Sequence, residues 1–304
     1  MPGTSETPVL QGRVVVGYDG SPHAERALTR AIDEAVRRET GLEIILGAPW
    51  MPFAPPAAAA PAPVVEQRDL YRATKELADE AADRARKAAP GLVVVATVTG
   101  DPAAEALVRA GETAGLTVVG TRGHGGFTGL LLGSVSLRVA AHTHSPLLVV
   151  RGDPEVEDEV RDTVVAGVQG DADRPAVRYA FEEAQRRDAR LRVLHAWTYP
   201  APLGGMPTVD ADGAREQVAE QRRFAEAVPR YAASQLHDAY PLVRVETDHE
   251  LGSAAGMLVH ASRTADLVVL GAHRPRHRFG MRLGPVTHAV LHHAHCPVLL
   301  VPVE

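Results

Sequence analysis

The sequence has little of several things that mark other protein classes. It contains a single cysteine in 304 residues, Cys296, which excludes a disulfide scaffold and favours a reducing compartment. No apolar run approaches the ~20 residues that a membrane-spanning helix needs. Residues 1–13 lack the apolar core of a signal peptide. We therefore expect a cytoplasmic protein with no membrane partner.

The sequence is also poor in aromatic residues and has no excess of basic ones. Aromatic residues make up 4% of the chain, so the core has to be built from aliphatic side chains. The 32 basic residues are outnumbered by 38 acidic ones, which argues against a general nucleic-acid binder. Five of the acidic residues fall within 153–159. This run predicts a solvated linker over 153–160 between two domains, residues 1–152 and 161–304.

What the sequence does contain is an internal repeat. Residues 14–20, VVVGYDG, recur as residues 164–170, VVAGVQG, at an offset of 150. Three later segments recur at an offset of 151, among them LGSV at 132–135, which returns as LGPV at 283–286. Collinear matches in separate segments predict a tandem duplication.

Short apolar runs alternate with amphipathic stretches in each copy, which predicts a doubly wound α/β domain with a five-stranded parallel sheet and about four helices. In the first copy, strands are predicted near 13–18, 42–48, 92–98, 116–120 and 147–151, and helices near 22–39, 67–88, 102–113 and 133–142. The pairs Ser21-Pro22 and Asp101-Pro102 each predict an N-cap followed by proline at the first helical position.

The most specific motif is G-x2-G-x9-G-S, formed by Gly120, Gly123, Gly133 and Ser134. Its first glycine ends a predicted strand and its last two residues open a predicted helix, where open α/β sheets bind ligands. Glycines let the backbone approach a polyphosphate, and Gly133, Ser134 and Val135 would present free N–H groups to an anion. The pattern predicts a phosphate site. The alternative is a tight loop with Ser134 as an ordinary N-cap.

Asp19 is the second candidate because it ends the first predicted strand and faces the same crevice. It could hold a ribose hydroxyl or a metal that accompanies the phosphates. It could equally be a turn or cap residue for the helix that begins near Pro22.

Residues 14–22 and 118–151 resemble a universal stress protein domain of the ATP-binding type, and the resemblance covers nearly the whole chain as two tandem copies. It implies a Rossmann-like fold of the adenine nucleotide alpha-hydrolase type that binds ATP, with Mg, without a dedicated hydrolytic apparatus. By position, Asp19 would contact the sugar side, the backbone of Ala48 the adenine, and Arg122 the phosphates. The implied binding residues are Gly17, Asp19, Ala48, Gly120, Arg122, Gly123, Gly126, Gly133, Ser134 and Val135.

The second copy departs from this pattern. The residues that match Asp19, Gly123 and Ser134 are Gln169, Arg274 and Pro285. Gln169 removes the carboxylate at that position, the side chain of Arg274 would fill the space in which the backbone approaches a phosphate, and Pro285 lacks an N–H donor. The residue that matches Ala48 on the adenine side, Ala196, is retained. We expect only the first copy to bind ATP tightly, and the second to be degenerate or to take another anion.

Three functions stay open at this stage: a nucleotide-dependent regulator, an ATP-using transferase, and a pairing module. No nucleophile–base set and no P-loop is visible, so we expect no catalytic or metal-ligating residues and at most slow ATP hydrolysis. The Pro-rich stretches 49–63 and 198–213 read as surface loops or as flaps over a ligand. In the resembled family the last strand mediates dimerisation, which implies self-pairing of the copies through 147–151 and 298–302, a possible homodimer, and an unidentified protein partner.

Overall fold

The computed structural model describes residues 11–47, 64–123, 132–151, 161–199, 211–273 and 283–303. The chain divides into two compact units, Met1–Val150 and Arg151–Glu304. The acidic stretch 153–160, the stretch 49–63 and most of 198–213 lie outside the described residues.

The first unit is a five-stranded parallel sheet with four helices, as predicted. Its elements are β1 (Val14–Gly17), α1 (Pro22–Arg37), β2 (Leu42–Gly47), α2 (Val64–Ala88), β3 (Val94–Thr99), α3 (Ala103–Gly111), β4 (Leu116–Gly120), α4 (Ser134–His142) and β5 (Leu147–Val150). The strand order is β3-β2-β1-β4-β5. Every residue of β4 and β5 is buried, as expected for strands covered on both faces.

The strand order places the ligand-binding edge of this sheet. From β1 the chain moves outward to β2 and β3, then returns to the other side of β1 through β4 and β5. Right-handed crossovers in opposite directions put α1 and α2 on one face and α3 and α4 on the other. The crevice therefore opens between β1 and β4, which pair directly, beyond the carboxyl ends of both strands.

The second unit repeats this arrangement. Its elements are β6 (Thr163–Gly167), α5 (Arg174–Arg187), β7 (Arg190–Trp197), α6 (Ala211–His237), β8 (Val245–Leu251), α7 (Ala254–Ala261), β9 (Leu267–His273), α8 (Pro285–His293) and β10 (Val298–Val303), with one-turn 3-10 helices at Asp171–Asp173 and Ser262–Thr264. The strand order is β10-β9-β6-β7-β8, so β6 and β9 flank the crevice. No helix among the described residues is long and apolar enough to span a membrane.

Of the two predicted N-caps, one is confirmed and one is wrong. The Oγ atom of Ser21 accepts the N–H of Ala24 at 3.2 Å, and Pro22 is the first residue of α1. Helix α3 begins at Ala103 with Pro102 as its N-cap and has no side-chain cap. The carboxylate of Asp101 instead accepts hydrogen bonds from Arg109 and from the hydroxyl of Thr99, which compete with the cap.

Candidate functional site

A cleft of about 220 Å³ opens between the carboxyl ends of β1 and β4 and the start of α4. Part of its lining is apolar and comes from Ala24, Ala103, Leu107 and Val119. Two of the ten predicted binding residues, Ala48 and Gly126, lie outside the described residues. The other eight all line this cleft: Gly17, Asp19, Gly120, Arg122, Gly123, Gly133, Ser134 and Val135.

Two of the glycines in this cleft stand where a side chain would collide. A Cβ on Gly123 would overlap the Oδ2 atom of Asp19, and a Cβ on Gly120 would come within 2.5 Å of the backbone oxygen of His23. Gly120 therefore lets the end of β4 approach the backbone at His23, and Gly123 leaves room for the carboxylate of Asp19.

The first turn of α4 carries no side-chain cap. Gly133 is the N-cap in an extended conformation and offers no acceptor, whereas α1 uses Ser21 in this role. The alternative of Ser134 as N-cap is therefore wrong, because Ser134 is the first helical residue. The N–H of Gly133 is also not free, since it donates to the backbone oxygen of Thr121 at 2.6 Å. The N–H groups that this helix end would offer to a bound anion are those of Ser134 and Val135.

Asp19 has the turn role that the sequence left open, and it also lines the cleft. Its Oδ1 atom accepts the backbone N–H of Ser21 at 3.0 Å. Its Oδ2 atom points towards Gly123, and the side chains of Asp19 and Arg122 are both exposed. The cleft thus presents one carboxylate and one guanidinium to solvent, beside the open end of a helix.

His23 lies next to this charged rim and was not identified from the sequence. Its Nδ1 atom is 2.6 Å from Nη2 of Arg26 and 3.1 Å from Oγ1 of Thr121. Burial lowers the pKa of His23, and the positive charges of Arg26 and Arg122 lower it further. The neutral ring, with Nδ1 as acceptor, fits both contacts.

Two further polar contacts support the cleft from behind. The buried hydroxyl of Ser136 donates to the backbone oxygen of Gly120 at 2.6 Å and ties α4 to the end of β4. The hydroxyl of Tyr18, which lines the cleft, donates to Glu25, and Arg84 of α2 donates to both groups. Burial and the Glu25 hydrogen bond raise the pKa of Tyr18 to about 12. No motif in the sequence points to either contact.

The second unit has a larger cleft, of about 390 Å³, at the equivalent position. Pro285 is the first residue of α8 and Gly284 is its N-cap, so the donor lost at this helix end is as predicted. Ala196 and Gln169 line the cleft, and Arg274 lies outside the described residues.

A carboxylate is present in this second cleft despite the change at Gln169. It belongs to Asp173, which is 5% exposed. Its Oδ2 atom accepts the backbone N–H of Gln169 at 2.7 Å, and its Oδ1 atom lies 2.7 Å from Nε2 of His273. The carboxylate is absent at the position that matches Asp19, as expected, but the second cleft has another one from a residue that the sequence comparison did not single out.

The alignment of strand and helix also differs between the two copies. The strand motifs of the two copies are offset by 150, but the buried faces of α1 and α5 align at 149: Ala27, Leu28, Ala31, Ile32 and Ala35 match Ala176, Val177, Ala180, Phe181 and Ala184. The Oδ1 atom of Asp173 lies against Gly271.

No group of three or more His, Cys, Asp or Glu side chains within the described ranges could hold a metal ion.

The comparisons with known proteins agree with this architecture. A family model described as the universal stress protein family matches residues 12–151 and 161–302. A universal stress protein of Mycolicibacterium smegmatis is 30% identical over 290 residues, which cover 95% of this chain and 96% of the relative. The crystal structure of a universal stress protein from Archaeoglobus fulgidus matches 96% of this chain and 99% of its own, with a TM-score of 0.65 and 17% identity. A solved universal stress protein in complex with cAMP covers 47% of this chain and 98% of its own, with 30% identity and a TM-score of 0.36.

Proposed function

The chain belongs to the universal stress protein family, and from this we propose that its first unit binds ATP and that the protein acts as a nucleotide-dependent stress-response regulator. The observation that carries the proposal is the convergence of eight predicted binding residues on one cleft. They come from the end of β1, the end of β4, the following loop and the start of α4.

The phosphate end of the ligand would lie against α4. The helix dipole and the N–H groups of Ser134 and Val135 favour an anion there, and each such interaction contributes about 0.3–1 kcal/mol at an exposed site. Arg122 adds a charge-assisted donor. Gly123 leaves room for the carboxylate of Asp19 beside these donors, and Gly120 lets the backbone at His23 approach the end of β4.

The nucleoside end would use the apolar part of the cleft. Leu107, Val119 and Ala24 offer a surface for the base, and the exposed carboxylate of Asp19 offers an acceptor for ribose hydroxyls. A Mg²⁺ ion would be held mainly by the phosphates themselves, with Asp19 and Ser134 within the same cleft as further oxygen ligands.

We propose at most slow hydrolysis of the bound nucleotide. The ionisable side chains among the described residues that line the first cleft are those of Tyr18, Asp19 and Arg122. Tyr18 is held neutral by a pKa of about 12, and Asp19 already accepts a backbone N–H. Neither forms a nucleophile–base pair of the kind that activates water.

The remaining parts of the proposal come from the resemblance. Pairing of the two copies through their last strands, assembly into a homodimer, an unidentified protein partner and a cytoplasmic location stay predictions.

The test is the nucleotide that the purified protein carries. Freshly purified protein is denatured, and the released nucleotide is identified by ion-exchange chromatography and quantified per chain. We expect about one ATP per chain, and none from Gly123→Arg, which would displace Asp19. Gly170→Arg is the matched control, because a Cβ at Gly170 meets nothing within 4 Å. Absence of nucleotide, together with no binding on titration with millimolar ATP, ADP, AMP or cAMP, would contradict the proposal.

A further inference from the structure

The second cleft keeps the size and the apolar walls of a ligand site. Its volume of about 390 Å³ falls within the range of about 300–1,000 Å³ that is usual for small-molecule sites. Leu194, Leu258, Leu270 and Val286 supply apolar lining. Loss of the phosphate-binding pattern has therefore not been accompanied by filling of the cleft.

The charge inside this cleft differs in kind from that of the first. Asp19 is exposed to solvent, whereas Asp173 is 5% exposed and lines the cleft from within. The Oδ2 atom of Asp173 accepts the N–H of Gln169, and its Oδ1 atom lies 2.7 Å from Nε2 of His273. A second negative charge brought next to it would be repelled more strongly than at an exposed site, because the surroundings screen it less.

The N-terminus of α8, which would have to offset this repulsion, also offers fewer hydrogen-bond donors than that of α4. Pro285 lacks an N–H group and carries no hydroxyl, so α8 lacks both of the donors that Ser134 offers at the first position of α4. At the position of Arg122 the second copy has His273, whose side chain is 48% exposed and is engaged with Asp173. The described part of the cleft thus holds a buried acceptor and fewer helix-terminal donors than the first cleft.

We propose that the second cleft binds an uncharged nucleoside-like compound and excludes nucleotides that carry phosphate. The flat ring would pack against Leu194, Leu258 and Leu270. Its N–H or hydroxyl groups would donate to the carboxylate of Asp173. The chain would then hold two different ligand sites, of which the second selects against the phosphates that the first requires.

The experiment uses the full chain with each cleft filled in turn. Val135 and Val286 are both the second residue of their helix, line their own cleft and are partly exposed, so a tryptophan at either position fills that cleft with little effect on the core. Calorimetric titration of Val135→Trp with adenosine, AMP and ATP measures ligand binding to the second cleft alone. We expect adenosine to bind at least about tenfold more tightly than AMP or ATP, and this binding to be lost in Val135→Trp/Val286→Trp.

A second variant tests the charge directly. Asp173→Asn/Pro285→Ser keeps the shape of the cleft, removes the carboxylate charge and restores an N–H group and a hydroxyl to α8. In the Val135→Trp background it is expected to raise the affinity for AMP relative to adenosine by about tenfold or more. Thermal unfolding of each variant checks that the fold is kept.

Two results would overturn the proposal: no adenosine binding at millimolar concentration, or AMP and ATP binding to Val135→Trp as tightly as adenosine does. The outcome is separate from that of the ATP proposal. If the first unit does not bind ATP, neither the wild type nor Val135→Trp binds ATP, while adenosine binding is still lost when Val286→Trp fills the second cleft.

Discussion

The carboxylate of Asp19 occupies the space that any side chain at Gly123 would need. A Cβ built on Gly123 overlaps Oδ2 of Asp19, although the two residues are 104 positions apart in the chain. Both positions differ in the second copy, where the sequence has Gln169 and Arg274. The glycine of the motif and the acid after β1 are therefore in direct contact, and a side chain at Gly123 requires the Asp19 side chain to move.

This contact predicts strong coupling between the two positions in nucleotide binding. We expect Gly123→Ala to push the Asp19 side chain aside and to weaken ATP binding about tenfold. In an Asp19→Gly background the same change should cost less than about threefold, because the clash is gone. The difference falls within the coupling of ~0.5–3 kcal/mol usual for residues in contact. ATP titration of the four proteins measures it, and equal effects of Gly123→Ala in both backgrounds would contradict the account.

Two serines of α4 are expected to separate stability from binding. Ser136 is buried and donates to the backbone oxygen of Gly120, so Ser136→Ala should lower the free energy of unfolding by about 1–3 kcal/mol. Ser134 is exposed at the cleft, so Ser134→Ala should change that free energy by less than ~0.5 kcal/mol while weakening ATP binding. Urea unfolding and ATP titration distinguish the two, and the reverse assignment would count against the site.

The lowered pKa of His23 predicts a contribution to folding stability that is lost in acid. Burial, Arg26 and Arg122 lower its pKa in the folded protein below the ordinary value of 6.5. The unfolded chain therefore takes up a proton on His23 at a pH where the folded chain does not. Stability from this group is present above pH 6.5 and is lost as the pH falls below it.

His23→Gln should reduce that loss. Urea midpoints for the wild type and the variant, measured at neutral pH and again at a pH below the ordinary histidine value, give the slope for each. An unchanged slope in the variant would show that His23 is not held neutral by the fold.

The raised pKa of Tyr18 predicts that its phenol does not ionise in an alkaline titration near pH 10.0. Burial and the hydrogen bond to Glu25 raise its pKa to about 12 from 10.0. The neutral form is favoured in the folded state, so its contribution to stability is present below pH 10.0 and is lost as the pH rises above that value. In the ultraviolet absorbance of phenolate, Tyr18→Phe should leave the titration near pH 10.0 unchanged. One phenol fewer in that range would contradict this prediction.

The sequence was informative wherever a local pattern determines the structure. Apolar runs located the strands, Ser21-Pro22 located the start of α1, and G-x2-G-x9-G-S located the cleft, because glycine and proline act on the backbone of their own segment. These signals do not depend on what the rest of the chain does.

The failures came from side-chain contacts that the motifs and caps do not encode. Asp101 does not cap α3 because Arg109 and Thr99 claim its carboxylate. Asp173 reaches the second cleft from the 3-10 helix before α5, and the strand motifs, which align Asp19 with Gln169, do not reveal it. The contact from Ser136 to Gly120 joins two elements across the cleft, and no spacing rule predicts it.

The most direct test of the central claim is the stoichiometry of labelled ATP at equilibrium in the wild type and in the two tryptophan variants. If ATP binds in the first cleft alone, the wild type and Val286→Trp should each bind one ATP per chain, and Val135→Trp should bind none. Two ATP per chain in the wild type, or ATP retained by Val135→Trp, would contradict it.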